Sequence, residues 1–308
     1  MNKEIITNIV QNPYLIIGAL RQRGLKINQW YHKRCVNKNA DDFVQEDWDN
    51  LIILDGCRYD TFSKINTILG NLEYRCSPGS TSSEFLTEMF ASREIYDTVY
   101  VTANPYIYLL DKKVFYDIVD LRTEWDDDLE TVPPDVFTNK SIETLQQYQN
   151  KRYIFHYMQP HYPFIGPKGL NINHRGFNKN VQNDTFEGQN IWKQAQYRFN
   201  EFSATLPEIR EAYRENLQQV LQEVVRLLDE LDGKTVITAD HGNLIGDRLW
   251  PIPVKGFGHP ARLQITELTK VPWHIIHSKS RREIVAESPI EDQSDEKIDK
   301  QLKALGYV

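Results

Sequence analysis

A carboxylate, an imidazole and a glycine stand together at Asp240-His241-Gly242, directly after the β-branched and apolar run Thr235-Val236-Ile237-Thr238-Ala239. Asp and neutral His are common ligands of a divalent cation such as zinc or manganese. The same layout occurs far upstream, where Leu51-Ile52-Ile53-Leu54 ends at Asp55-Gly56. Two such runs lying side by side as parallel strands would bring Asp55 and Asp240 to one sheet edge. That edge, at the carboxyl ends of the strands, is where open α/β sheets bind ligands. Two desolvated carboxylates repel each other, and a bound cation removes that cost. Taken singly, each has an ordinary alternative: Asp240 as a cap after a strand, Asp55 as the N-cap of the next helix.

Hydroxyls form the second candidate. Gly79-Ser80-Thr81-Ser82-Ser83-Glu84 leads into Phe85, Leu86, Met89 and Phe90, whose spacing is helical. A hydroxyl in the first turn of a helix meets free N–H groups and the positive end of the dipole. These favour a bound anion and stabilise an alkoxide. Ser82, Thr81 and Ser80 all qualify as the nucleophile. The bland reading is a well-capped helix in which Thr81 and Glu84 form a capping box.

Two histidines lie in restrained loops. His161 follows Pro160 just past the apolar run 152–158, and His259 precedes Pro260 in a glycine-punctuated stretch. Both are expected to converge on the cation, as ligands or as donors to a phosphoryl oxygen. His156 reads as a core residue, and His274 and His277 as structural or solvent-facing. Arg58 and Asp60 read as a local ion pair that shapes the loop after Asp55.

Strands must position these groups. The runs 51–54, 97–103, 152–158, 235–239 and 271–276 are apolar, as strands buried on both faces are. The second ends at the polar turn Asn104-Pro105, which places Asn104 among the substrate-contacting candidates. Glu211 to Leu231 is an amphipathic helix with Tyr213, Leu217, Val220, Val224 and Leu227 on one face. Ser141 to Gln149 reads as another helix, and 111–135 as an irregular acidic surface stretch. The fold expected is a doubly wound, mostly parallel α/β sheet flanked by helices. Residues 1–45 form an N-terminal helical segment, 46–285 the catalytic domain with an insertion at 166–205 (a candidate lid), and 286–308 a charged tail.

Composition bounds the partners. The 308 residues are 40% hydrophobic and 26% charged, a globular composition. A net charge of −7 argues against nucleic acid. The three cysteines, Cys35, Cys57 and Cys76, offer neither a disulfide framework nor a zinc knuckle, which suggests a reducing, cytoplasmic setting. Tyr14-Leu15-Ile16-Ile17, flanked by Arg21, Arg23 and Lys26, is too short to span a bilayer. Residues 1–27 read either as a surface helix packed on the domain or as a basic segment in peripheral contact with a membrane.

In order and spacing the pattern resembles the alkaline phosphatase superfamily in its sulfatase-like branch, with a likeness to archaeal sulfatase-like proteins. The matching stretches are Leu54–Asp60, Gly79–Glu84, His161–Phe164, Thr238–Gly242, Gly258–Pro260 and Val271–Trp273. The resemblance implies a hydrolase or transferase of phosphate or sulfate esters that works through a covalent hydroxyl-enzyme intermediate. It implies a divalent metal (Zn, Mn, Mg or Ca) and an ester substrate, by analogy a glycan or lipid. Asp55, Asp240 and His241 match metal ligands, and His259 a later histidine of the metal or anion site. His161 resembles a histidine placed on the substrate phosphate, and Lys255 a lysine placed on a sulfate. A register counted from the helix end near Phe90 selects Ser82 as nucleophile, and one anchored on Gly79 and Glu84 selects Thr81. Cys76-Ser77-Pro78-Gly79-Ser80 resembles the start of a formylglycine motif, but Ser80 stands where that motif needs arginine. The alternative function is a catalytically silent binding or scaffold protein of surface-glycan assembly.

Overall fold

Strand β1 (Asn50–Leu54) lies at the centre of a seven-stranded sheet in the computed structural model, which describes residues 14–36, 39–174, 176, 190–197, 204–278 and 280–290. All five of its residues are buried, Leu51–Leu54 as an unbroken apolar run requires. In chain order the strands are β1, β2 (Asn71–Cys76), β3 (Ile95–Thr102), β4 (Phe115–Asp120), β5 (Arg152–Tyr157), β6 (Thr235–Thr238), β7 (Leu244–Arg248), β8 (Lys255–Gly258) and β9 (Lys270–Ile276). The sheet order is β2-β9-β6-β1-β5-β3-β4. The five strands from β6 to β4 are parallel, and β9 and β2 close one side antiparallel. Ile53 pairs with Thr238 on one side and His156 on the other, so Asp55 and Asp240 emerge at the same height.

The α-helices are α1 (Tyr14–Cys35), α2 (Tyr59–Ile65), α3 (Ser82–Phe90), α4 (Pro134–Gln147), α5 (Pro167–Leu170), α6 (Ile191–Tyr197), α7 (Leu206–Leu228) and α8 (Thr266–Thr269). Helix α7 starts from a complete capping box, Thr205 with Glu208, and buries Tyr213, Asn216, Leu217, Val220, Val224 and Leu227. It starts five residues before the expected Glu211 and ends at Leu228. Helix α4 begins at Pro134, not Ser141, because proline is at home in the first turn. The stretch 111–135 is not irregular throughout: β4 pairs with β3 there, and its acidic residues obscure the strand pattern. Strand β2 and the β7–β8 hairpin were not foreseen either.

A second apolar cluster ties the site's loops together. Tyr162 and Phe164 follow β5; Trp192 comes from α6, Tyr213 from α7, and Ile245 and Phe257 from the hairpin. It fixes the loops carrying His161 and His259 against α7. Helix α1 packs on the hairpin side, where Asn28 Nδ2 donates to Ile252 O at 2.9 Å and Ile252 N donates to Asn28 Oδ1 at 2.8 Å. Among the described residues no helix is long and apolar enough to cross a membrane. Half of the expected lid, 175, 177–189 and 198–203, and the tail from 291 lie outside the described residues.

Candidate active site

Asp55 and Asp240 stand one strand apart, each just past its strand end, and both are buried. Asp240 Oδ1 accepts from Gly56 N at 3.0 Å and from His241 N at 2.8 Å. Asp55 Oδ2 accepts from Ser82 Oγ at 3.2 Å and Asn104 Nδ2 at 2.8 Å. The remaining oxygens, Asp55 Oδ1 and Asp240 Oδ2, have no hydrogen-bond partner. His241 Nδ1 donates to the Gly242 carbonyl at 2.7 Å, which leaves a bare lone pair on Nε2. That nitrogen lies 3.7 Å from Asp55 Oδ1, 3.5 Å from Asp240 Oδ2 and 3.3 Å from Ser82 Oγ. One ligand atom from each of Asp55, Asp240 and His241 lies within 4.8 Å of the others. Two orphaned carboxylate oxygens and an imidazole lone pair facing one point fit a divalent cation.

The electrostatics agree. Burial, followed by the charge of Asp240, holds the Asp55 carboxyl well above its usual range, and burial also raises Asp240. Burial pushes His241 down to about 4. His161 and His259 are held well below the usual histidine value, chiefly by burial and then by a neighbouring imidazole. At neutral pH all three rings are therefore neutral.

The start of helix α3 separates the hydroxyls. Thr81 is the N-cap, and its side chain accepts from Glu84 N at 3.2 Å. The expected capping box is incomplete, because the Glu84 carboxylate takes Ser80 N and Ser80 Oγ, each at 3.0 Å, and Arg262 N at 3.0 Å. Ser80 Oγ is further engaged with Pro260 O. Ser82, the first helical residue, alone points its hydroxyl at Asp55 and His241.

His161 and His259 face each other, with Nε2 atoms 2.8 Å apart. His161 Nδ1 donates to Tyr162 O at 2.7 Å, so its Nε2 accepts and His259 Nε2–H donates. The His259 ring stacks on His241 with centroids 4.6 Å apart. His259 thus adjoins the carboxylate cluster but is not one of its three grouped ligand residues. Asn104 is engaged behind Asp55. Lys255 is exposed at the start of β8 and makes none of the site's hydrogen bonds. Cys76 ends edge strand β2 in register with Lys270 and makes none of them either. The Arg58–Asp60 pair is present at 2.8 Å, and Arg58 also reaches Asp247.

Sequence reasoning missed two supports on α7. Asn216 Nδ2 donates to His161 O at 3.1 Å and Pro163 O at 2.9 Å, while its Oδ1 accepts from Ile165 N. Tyr213 Oη donates to Gly56 O and accepts from Arg58 N, both at 2.8 Å. The signal was an asparagine interrupting the apolar helix face beside Leu217. Gly56 itself has φ +66°, and an added Cβ would lie 3.4 Å from the His161 ring and 3.6 Å from His241.

No protein-family model matches this chain, and no curated protein matches it. Solved structures do, and the fold is that of the alkaline phosphatase and sulfatase-like proteins. The integral membrane lipooligosaccharide phosphoethanolamine transferase A of Neisseria meningitidis is 13% identical with a TM-score of 0.50, over 75% of this chain and 47% of that one. This chain therefore spans about half of that protein's length. The C-terminal periplasmic domain of EcEptC from Escherichia coli, in complex with Zn, is 13% identical with a TM-score of 0.43, over 79% and 76% of the two chains. The lipoteichoic acid synthase LtaP of Listeria monocytogenes is 13% identical with a TM-score of 0.42, over 80% and 71%.

The expected cytoplasmic placement is not upheld: the similar solved structures include an integral membrane transferase and periplasmic transferase domains. The cysteine count misled because an interior built on buried strands needs no disulfide: Cys57 lies in the core, while Cys35 and Cys76 lie on separate elements. The archaeal likeness finds no counterpart among them.

Proposed function

We propose that this protein transfers or hydrolyses a phosphoryl group through a covalent intermediate on Ser82. The observation that carries this is the Ser82 hydroxyl, 3.2 Å from Asp55 and 3.3 Å from His241 at the first turn of α3. Asp55, Asp240 and His241 would hold the cation, whose charge would lower the hydroxyl's pKa and stabilise the charge developing in transfer. Ser82 Oγ attacks phosphorus in line, and its proton passes toward Asp55 Oδ2, to which it already points. The bond to the leaving alcohol breaks as the Oγ–P bond forms. The proton taken up by Asp55 passes to the departing alkoxide, while the neutral His161–His259 pair can offer its N–H as a hydrogen bond to a phosphoryl oxygen. Water or an acceptor alcohol then attacks the phosphoserine, its proton passing to Asp55 and from there to Ser82 Oγ as the Oγ–P bond breaks. Cys76 has no place in this geometry, which favours phosphate esters over sulfate esters. The substrate class follows by analogy: a lipid or glycan carrying a phosphoryl substituent.

A panel of aryl phosphate mono- and diesters and an aryl sulfate, each with Zn, Mn, Mg or Ca, tests the reading. Phosphate-ester cleavage that requires a cation is expected, and sulfate-only turnover would contradict it.

Cation affinity should rise with pH. The Asp55 and Asp240 carboxyls hold protons more tightly than free carboxyls do, and a cation must displace those protons. Affinity is therefore lowest below the raised carboxyl values and levels off above them, with about one proton released per cation. Calorimetry in buffers of different ionisation heat measures that release.

An anionic lipid surface is the partner proposed for α1. Ile16, Leu20, Ile27 and Trp30 are exposed and share one helix face, while Gly18, Gly24, Asn28 and His32 on the other are buried. Residues 14–36 carry Arg21, Arg23, Lys26, Lys33 and Arg34 and no carboxylate, in a chain of net charge −7. An apolar face rimmed by cations fits an anionic bilayer. Vesicles containing phosphatidylglycerol should sediment the protein where phosphatidylcholine vesicles do not. Each of Arg23→Gln and Lys26→Gln should weaken that binding roughly fivefold, and Leu20→Ser with Trp30→Ser should abolish it. A dimer broken by the same apolar changes would instead assign the face to a second copy.

A further inference from the structure

His156 lies beneath the cation site and has no part in the chemistry above. It is wholly buried on β5, flanked by Ile53 of β1 and Thr102 of β3. A directed line of hydrogen bonds ends at its ring. Asn104 N, which can only donate, bonds to Thr102 Oγ1 at 3.0 Å. The Thr102 hydroxyl is therefore free to donate onward, to the phenol oxygen of Tyr100 two residues earlier on the same strand face. Tyr100 Oη then donates to His156 Nδ1 at 2.7 Å. An imidazole that accepts at Nδ1 carries its hydrogen on Nε2.

That Nε2–H faces Asp240 Oδ2 at 3.7 Å. Neither atom has another hydrogen-bond partner, and both are buried. Of the other groups near Oδ2, His241 Nε2 presents a lone pair rather than a hydrogen, and the Ser82 hydroxyl is directed to Asp55 Oδ2. His156 is thus a donor aimed at the ligand oxygen of Asp240 from beneath the site. A gap of 3.7 Å is too long for a formed hydrogen bond. The positioning role requires the Asp240 side chain to turn about its two backbone contacts on Oδ1 by enough to close that gap.

We propose that His156 is a positioning residue, locked in its Nε2–H form by Tyr100, that holds the Asp240 carboxylate in the orientation that receives the cation. The inference rests on the cation-site reading above. It reaches past that reading, because Asn104 now supports both carboxylates: its backbone starts the line to Asp240, and its side chain holds Asp55. Outer groups that orient a metal ligand typically contribute about 10- to 100-fold in metal affinity.

The test uses the full chain stripped of metal and titrated calorimetrically with Zn²⁺ or Mn²⁺. His156→Leu keeps bulk and loses the donor, and should weaken binding about 10- to 100-fold with unchanged circular dichroism. His156→Gln, which can place an N–H near the same point, should recover most of it. Tyr100→Phe removes only the lock and should fall between. In the wild-type protein, ¹⁵N NMR should find the His156 hydrogen on Nε2. A hydrogen on Nδ1, or Tyr100→Phe and His156→Leu affinities equal to wild type, would overturn the positioning role, and the NMR arm stands even where His156→Leu fails to fold. Wild-type protein that bound neither cation would instead sink the site reading itself.

Discussion

Ser82→Ala should lower phosphate-ester cleavage by at least about a thousandfold, with cation binding largely kept. Loss of the attacking oxygen leaves charge stabilisation at the site but no covalent route. The partner variant, Thr81→Ala, separates chemistry from architecture. Thr81 caps α3 through Glu84 N and shares its hydroxyl with Ser83, so its loss should destabilise the fold by about 1 kcal/mol. Turnover should stay within a few-fold of wild type, because no hydrogen bond joins its hydroxyl to Asp55, Asp240 or His241. Thermal unfolding and initial rates on the two variants read both effects. Full activity in Ser82→Ala with loss in Thr81→Ala would reverse the assignment.

The second large effect is at Asp240. Asp240→Asn keeps the side-chain volume and an oxygen for Gly56 N and His241 N, but removes one of two buried charges. Cation affinity should drop about 10²- to 10³-fold, the usual scale for deleting a buried charge from its partner. Stability of the metal-free protein should move the other way. Because burial raises the folded-state values of Asp55 and Asp240, their contribution to stability is present at low pH and is lost as pH rises through those raised values. Removing one charge lifts that penalty, so metal-free Asp240→Asn should melt higher than metal-free wild type at pH 8 and about equal to it in mild acid. A ligand site whose loss stabilises the empty protein is a common sign that the residue serves function rather than folding.

Much of this arrangement was legible in the chain because it rests on local signals. Leu51–Leu54 and Val236–Ala239 are unbroken apolar runs, so their pairing and the carboxylates just beyond them followed from the rule for parallel sheets. The prolines beside His161 and His259 marked fixed loops, and the two rings do meet. What sequence could not supply was contact across elements. Glu84 has the spacing of a capping box with Thr81, yet Ser80 and a backbone N–H 178 positions away compete for its carboxylate. Spacing to the helix end already favours Ser82, and the coordinates add that the Thr81 hydroxyl is engaged by Glu84 N and Ser83. His156 looked like a core histidine in a strand, which it is. Only the register of β3, β5 and β1 shows that its far nitrogen faces Asp240. The β7–β8 hairpin hides because its strands are short and its turn carries Trp250-Pro251 rather than an Asn-Gly signal.

The most direct test of the central claim is mass spectrometry of the protein quenched in acid during turnover of a phosphate ester, with cation present. The account predicts one phosphoryl adduct per chain, mapped to the peptide holding Ser82, absent in Ser82→Ala and absent when the cation is removed. A phosphoryl adduct on another residue, or steady turnover with no adduct on Ser82 under any quench, would contradict it.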